Sequence, residues 1–525
     1  MVWSREEVAA RILAGDVLIV YNGHLLKIPD FWLDAHPGGS LALLHFVGRD
    51  ATDEIQAYHQ DDTLDLIPRY SIGRVDIPPS GWVPLLPPIM SGWVRKLDGQ
   101  GNRTWVHEAD AFRSPVNTEK LPSSQVLLVE KERLLPASDQ PTTDTLQPPP
   151  TGLSLEIQTK HSKAYRELHK RIVDAGLYKT PYLSGYGPEV IRYTLLGLLS
   201  VYAYGNRWFI TSAVFLGLTW HQLVFSAHDL GHMGVTHNWT IDRLLGILIA
   251  DFIGGLSIGW WVDNHNVHHL VTNHPSHDPD IEHIPFFAVS PLFLTSLWSS
   301  YYKRVMRYDR FSKTVISVQH KLFYLVMMFA RLNLYRLSYT FLIKKALDTK
   351  RARGGRWAWG LEIAGILFFW TWFGRVLIGC GSWPTAIAYF LVSHVVTSPL
   401  HVQIVLSHFS MSTADLGPTE SFPHRQLRTT TDVTCPPSLA FLHGGLHLQV
   451  THHLFPRLPR HNLARASQLV KQFAQEQGMT YAEFGFVSGN KQVLGILQEV
   501  AEQARLLGKV AAAEVQEAMD KTNTS

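Results

Sequence analysis

Asn264-His265-Asn266-Val267-His268-His269-Leu270-Val271-Thr272-Asn273 is the stretch that decides how the rest of the chain is read. Its three histidines stand at i, i+3 and i+4, so on a helix they share one side. Imidazole suits iron and leaves coordination positions open for oxygen. Two irons need more ligands than one helix face can present, so other segments must converge on this one. Two more clusters are available. His228-Asp229-Leu230-Gly231-His232 spaces its histidines four apart, again on one helical face. Gln449-Val450-Thr451-His452-His453 ends in an adjacent pair, with His447 just before it. A redox metal held in this way can direct oxygen-derived oxidising power at an unactivated C–H bond.

The segments around these clusters are apolar. Val190–Tyr204 and Trp208–Ala227 are separated only by Gly205-Asn206-Arg207, and Trp357–Cys380 is followed closely by Trp383–Leu406. Each pair reads as a transmembrane hairpin. Between them, residues 302–356 are rich in Lys and Arg, from Lys303 to Arg356, which places that segment in the cytosol. Four spans in two hairpins then put both termini and all three histidine clusters on the cytosolic side. Leu244–Trp261 carries Asp251 and Gly254-Gly255 and reads as interfacial or re-entrant. His394, His401 and His408 are seven apart, but Pro399 interrupts their helix. Only His408, at the end of the fourth span, is taken as a candidate ligand. His274, His277 and His283, with Asp278 and Asp280, read as a solvated loop. Trp260 and Trp261 read as interfacial anchors.

The N-terminal stretch has a different chemistry. His36-Pro37-Gly38-Gly39 is followed by His59, and two neutral imidazoles can ligate a haem iron from opposite faces. That arrangement leaves no oxygen site and favours electron transfer. Leu18-Ile19-Val20-Tyr21 reads as a strand and Asn22-Gly23 as a tight turn. Asp50, Asp53, Glu54, Asp61, Asp62 and Asp65 surround the second candidate ligand, an acidic rim able to steer a basic redox partner.

Composition sets the frame. Charged residues make up 17% of the 525 and hydrophobic ones 46%, a balance suited to a membrane protein with a soluble part. A net charge of +3 gives no support to nucleic-acid binding, and two cysteines cannot build a disulfide framework. The first residues show no secretory signal and are expected to stay in the cytosol. Residues 77–155, rich in Pro, Ser and Thr, read as a linker with some order before it. Residues 462–520 read as one or two amphipathic helices over the cytosolic cap.

Phe31–Gly39, Val47–Thr52, Tyr58-His59 and Tyr70–Gly73 together resemble cytochrome b5, and the resemblance makes His36 and His59 the axial ligands of haem b. The three histidine clusters resemble the histidine boxes of membrane fatty-acyl desaturases. Glutamine in the third box, with the N-terminal haem domain, is similar to the front-end group. Asn264–Asn273 and His447–Arg457 look like fungal delta-8 sphingolipid desaturases. The resemblance implies an α+β cytochrome b5-like haem domain (1–76), a linker and pre-membrane segment (77–189), an all-α membrane desaturase domain with four transmembrane helices and a histidine-rich cytosolic cap (190–462), and C-terminal cytosolic helices (463–525). It makes His228, His232, His265, His268, His269, His408, His452 and His453 iron ligands and Gln449 a ligand or a group beside one. It further implies a di-iron centre, O2 as co-substrate, NADH acting through a separate cytochrome b5 reductase, a ceramide substrate and an endoplasmic reticulum membrane. A lipid hydroxylase, an acyl-CoA or phospholipid desaturase, and a non-enzymatic membrane-tethered haem carrier or metal-binding membrane protein are the rival readings.

Overall fold

The computed structural model describes residues 1–97, 103–107, 140–348 and 355–523. The N-terminal unit is a four-stranded sheet in the order β1-β4-β3-β2, built from β1 (Val2–Trp3), β2 (Leu18–Tyr21), β3 (His24–Lys27) and β4 (Ser71–Val75). Helix α1 (Arg5–Leu13) is started by a capping box, with Ser4 and Glu7 satisfying each other's backbone N–H. β2 and β3 form a hairpin closed at Asn22-Gly23. Both turn residues have positive φ (49° and 73°), the conformation that Asn-Gly tolerates and that matches strand twist. Val8, Ile12, Leu18, Val20, Leu25 and Val47 fill the core. Helix α2 (Thr52–Tyr58) delivers His59 as its C-cap residue.

The expected linker is partly a second layer of this unit. β5 (Trp93–Leu97) and β6 (Arg103–His107) pair antiparallel and bury Trp93 and Trp105 in the same core as β2. The Trp105 indole donates to the Ile12 carbonyl at 2.7 Å, and the Trp82 indole to the Gly48 carbonyl at 3.0 Å. Arg95 and Arg103 pair with Asp30 and Asp34. Apolar Trp residues among Pro and Ser were the signal that composition alone hid. Residues 108–139 of that stretch lie outside the described residues. Helix α3 (Leu155–Asp174) then packs against the helical half, where the Tyr165 hydroxyl donates to the Leu454 carbonyl.

The helical half begins with α4 (Gly187–Gly205) and α5 (Phe209–Gly231), an antiparallel pair. Next come α6 (Trp239–Ile247), a π-helical turn (Leu248–Ile253) and α7 (Ile258–Leu270). The basic segment contains α8 (Ala330–Ala346), and α9 (Gly355–Gly379), α10 (Trp383–Val395) and α11 (Ser398–Phe409) follow. Among the described residues three stretches are long and apolar enough to cross a membrane: α5, α9 and the α10–α11 pair. The first of the four expected spans differs. α4 shows Ile191, Leu198 and Val201 outward, but Glu189 and Arg192 in its opening turns lower its hydropathy. By length and composition alone, a fourth candidate comes only from α6 and α7 taken as one broken span, and they meet at 113°. That bend agrees with the interfacial or re-entrant expectation for Leu244–Trp261.

Non-helical backbone at membrane depth must be satisfied by protein. Here Arg331 donates to the Gly254 carbonyl (2.7 Å), Tyr339 to Gly255 (3.0 Å), Trp220 to Ile253 (2.9 Å) and Trp372 to Phe252 (3.0 Å). The break is thereby pinned, and with it the start of α7, the helix that carries the central histidine cluster. Arg351 and Arg353 of the basic segment lie outside the described residues. Beyond the spans, α12 (Phe422–Thr429), β7 (Asp432–Thr434) and α13 (Gln449–Leu454) complete the cap. α14 (Leu463–Glu476), β8 (Glu483–Gly485) and α15 (Phe486–Asn523) close the chain, with β8 paired parallel to β7. Val493, Leu497 and Val500 of α15 are buried along one side.

Candidate metal and haem centre

Four helices bring their histidines to one place. His228, His232, His265 and His452 form one group, and His268, His408 and His453 a second. Within each group the candidate ligand atoms all lie within 4.8 Å of one another. His269 borders both: its Nε2 is 2.9 Å from His265 Nε2 and 3.2 Å from His452 Nε2, and its ring stacks on His453 at 4.0 Å. His268 Nε2 and His408 Nε2 are 3.3 Å apart. Two imidazoles on one ion, with metal–nitrogen bonds of about 2.1 Å at angles between square and tetrahedral, hold their nitrogens about 3.0–3.4 Å apart. The observed spacings fit that requirement. Nε2 of His232 and Nε2 of His453 are buried without a hydrogen-bond partner, as ligand atoms without their ion would be.

The rings are aimed by neighbours. The Asp278 carboxylate is fully buried and accepts from His268 Nδ1 at 2.9 and 3.0 Å, which puts the proton on Nδ1 and the lone pair on Nε2. Asp280 stands 3.6 Å from His265 Nδ1. Gln426 on α12 accepts from His453 Nδ1 at 3.1 Å and donates to the His269 carbonyl at 2.8 Å, joining clusters two and three. Arg460 ties the end of the third cluster to the first, through Asp229 at 2.8 Å and through Glu189 on α4. Tyr186 donates to the same Asp229 oxygen at 2.6 Å. Asp432 on β7 accepts from the Val450 N–H at 2.9 Å and so anchors the first turn of α13. Burial, above all, raises its carboxyl to about 7. His452 and His453 are pushed well below the usual imidazole range by burial first and then by neighbouring imidazoles, which keeps them neutral as ligands must be.

Several sequence expectations change here. His274, His277 and Asp278 are not a solvated loop; they are packed inside, with Asp280 half-buried beside them, because the segment folds back under α7. Trp261 is no interfacial anchor. Its ring lies 4.4 Å from that of His265 and 5.1 Å from that of His228. His394 contacts the Tyr335 hydroxyl and His447 the ring of His443, so neither joins the groups. Gln449 opens α13, buried, one turn before His452 and His453.

The haem-domain histidines face each other across a cavity of about 420 Å³. Their ring centroids are 6.1 Å apart, which fits an iron with two bonds of about 2 Å to imidazole nitrogens. His59 Nδ1 donates to the Ile55 carbonyl at 2.9 Å, and His36 Nδ1 lies 3.3 Å from the Gly39 carbonyl. Both Nε2 atoms are thus left free. Burial and then the neighbouring His59 hold His36 down to about 3, again neutral. The cavity is closed by the other half of the molecule: Gly231, His232, Met233, Val262 and Arg457 line it. His232 therefore belongs to a metal group and to the haem cavity wall at once. The acidic rim is also partly internal. Asp53 pairs with Arg166 at 2.6 Å, and Asp53 and Glu54 are buried.

A family model described as "Fatty acid desaturase" matches residues 206–485, the part that carries all three clusters. The chain belongs to the fatty acid desaturase family. A second model, described as "Cytochrome b5-like Heme/Steroid binding domain", matches residues 4–76, so this desaturase is fused to a haem-binding domain. The desaturase is 45% identical to the "Delta 8-(E)-sphingolipid desaturase" of Emericella nidulans, with 96% of this chain and 95% of that relative covered. It is 44% identical to the protein of the same description from Komagataella phaffii, over 97% and 95%. Identity to the "Delta(8)-fatty-acid desaturase 2" of Arabidopsis thaliana is 30%, over 94% and 91%.

Proposed function

We propose that this enzyme introduces the delta-8 double bond, in the E geometry, into the sphingoid base of a ceramide. The observation that carries the chemistry is the meeting of eight histidines from four helices in two groups beside a haem cavity. The substrate class is taken from the fungal relatives.

His228, His232, His265, His269 and His452 would hold one iron, and His268, His408 and His453 the other, with Gln449 a ligand or a neighbour of one. Bound there, the irons would supply oxygen activation, and haem b between His36 and His59 the electrons. The balance is two hydrogens from adjacent lipid carbons, two electrons from NADH through a separate reductase, two protons and one O2, giving an alkene and two waters. The chain's own residues set the conditions. Asp278 and Gln426 hold protons on the outward nitrogens of His268 and His453. Arg460 and Asp229 fix the first cluster against the third. Trp261 packs water away from His228 and His265. His232 lines both the haem cavity and the first metal group. The endoplasmic reticulum is the membrane that the resemblance implies; the basic segment, and the packing of the haem domain against the first and third clusters, favour both termini in the cytosol, with α4 crossing ahead of α5.

Expression in a host without sphingoid unsaturation tests the reading by mass spectrometry of its lipids. A sphingoid base two hydrogens lighter, absent with His268→Ala while the haem spectrum persists, is expected. The plant relatives' descriptions favour a second reading, a fatty-acyl substrate. In that case the new double bond appears in the acyl pool and the sphingoid bases stay saturated. A product heavier by one oxygen would instead mean hydroxylation.

A further inference from the structure

The desaturase half contributes an unused cation to the haem cavity. Arg457 lies four residues past His453 and lines the cavity. It is 9% exposed, and its Nε is buried without a partner. One arm donates to the His59 carbonyl, and the guanidinium lies over the Tyr178 ring at 5.7 Å. Among the described residues no carboxylate comes within ion-pair distance of it, and Asp61 acts on its charge only from further off. Arg243, the other Arg or Lys of the wall, has Glu362 at 3.9 Å.

A buried charge without a counter-ion is costly, so the structure calls for an anion at this point. Haem b carries two carboxylates on its edge, and guanidinium matches carboxylate in planar, two-pronged fashion. We infer that Arg457 is the counter-ion of a haem propionate. The haem is then gripped from both halves of the chain: its iron by His36 and His59, its acidic edge by a residue of the desaturase domain. Arg457 is a positioning residue. It keeps the haem seated against the wall that contains His232, and it fixes the backbone of the second axial ligand in the same contact. The inference rests on haem filling the cavity.

The test uses the full-length chain in detergent. Wild type, Arg457→Gln and Arg457→Lys are followed for haem transfer to excess apomyoglobin, and for haem midpoint potential. Each is also loaded with haem dimethyl ester, whose carboxylates are capped. Loss of one charge-assisted contact is expected to speed release of haem b from Arg457→Gln about tenfold, with Arg457→Lys in between. The potential should shift negative, since a cation near the porphyrin has been removed. Wild type should release the ester about as fast as Arg457→Gln releases haem b, and the substitution should add little to ester loss. Equal release of haem b and ester from wild type overturns the proposal without needing any variant. So does a substitution that accelerates both alike, which would leave only the His59 contact. A wild-type chain with no six-coordinate bis-imidazole spectrum overturns the haem reading itself.

Discussion

Asp278→Asn removes one charge from the buried support of the second metal group, and its consequence can be worked from the contacts. Each carboxylate oxygen already accepts a backbone N–H, Oδ2 from Asn273 at 2.7 Å and Oδ1 from Asp280 at 2.8 Å. Both also face His268 Nδ1. Whichever way the amide is turned, its NH2 meets a backbone donor, leaving a buried group unsatisfied at about 1–3 kcal/mol. The imidazole meanwhile loses an ionised acceptor, and with it the bias that holds its proton on Nδ1. Supporting residues of this kind typically alter metal affinity by about 10–100-fold. The expected result is selective loss of iron from the group containing His268, His408 and His453, read by chelator competition on the purified full-length chain. Product formation should fall at least about tenfold. The haem Soret band serves as an internal control for folding, because His36 and His59 lie in the other half. Asp278→Asn protein that keeps its iron against chelator and turns over like wild type would refute the reasoning.

Gln426→Leu deprives His453 Nδ1 of its acceptor and the His269 carbonyl of its donor, so iron affinity should drop by about tenfold or more, measured by the same competition. Gly231→Ala places a methyl 2.1 Å from the Trp261 ring, so Trp261 must leave its place beside His265; activity should fall steeply and thermal stability by about 1–3 kcal/mol. Asp432 is raised to about 7 in the folded chain, chiefly by burial, so folding favours its protonated form. Its stabilising share is present at low pH and lost as pH rises through about 7. Asp432→Asn should flatten the dependence of melting temperature on pH across that window, and an unchanged slope would count against the assignment.

What the sequence made legible was whatever depends on local spacing. Histidines at i, i+3 and i+4 share a helix face wherever the helix lies, so the side that His265, His268 and His269 present was readable. The Asn22-Gly23 turn followed from the φ values those residues tolerate. Features set by partners distant in sequence were hidden. Asp278 looks like any loop carboxylate until the fold lays it under α7. Gln426 sits in a short helix between Arg425 and Arg428, and only the approach of α13 gives it His453 as a partner. Asp53 read as a steering charge because nothing in the sequence links it to Arg166, 113 residues away. Trp93 and Trp105 were lost among prolines, yet they complete the haem domain's core. α4 shows the limit of hydropathy for a helix whose one face meets protein: its charges serve Arg460 and Gln222, not solvent.

The central claim is that helix ends far apart in sequence hold two irons beside the haem. Iron quantified against haem in the purified full-length chain, with Mössbauer spectra of the same sample, tests it most directly. The account predicts three irons per chain, one low-spin in haem and two in a histidine-rich site that His268→Ala depletes. A chain that is folded and active with its haem iron alone would contradict it.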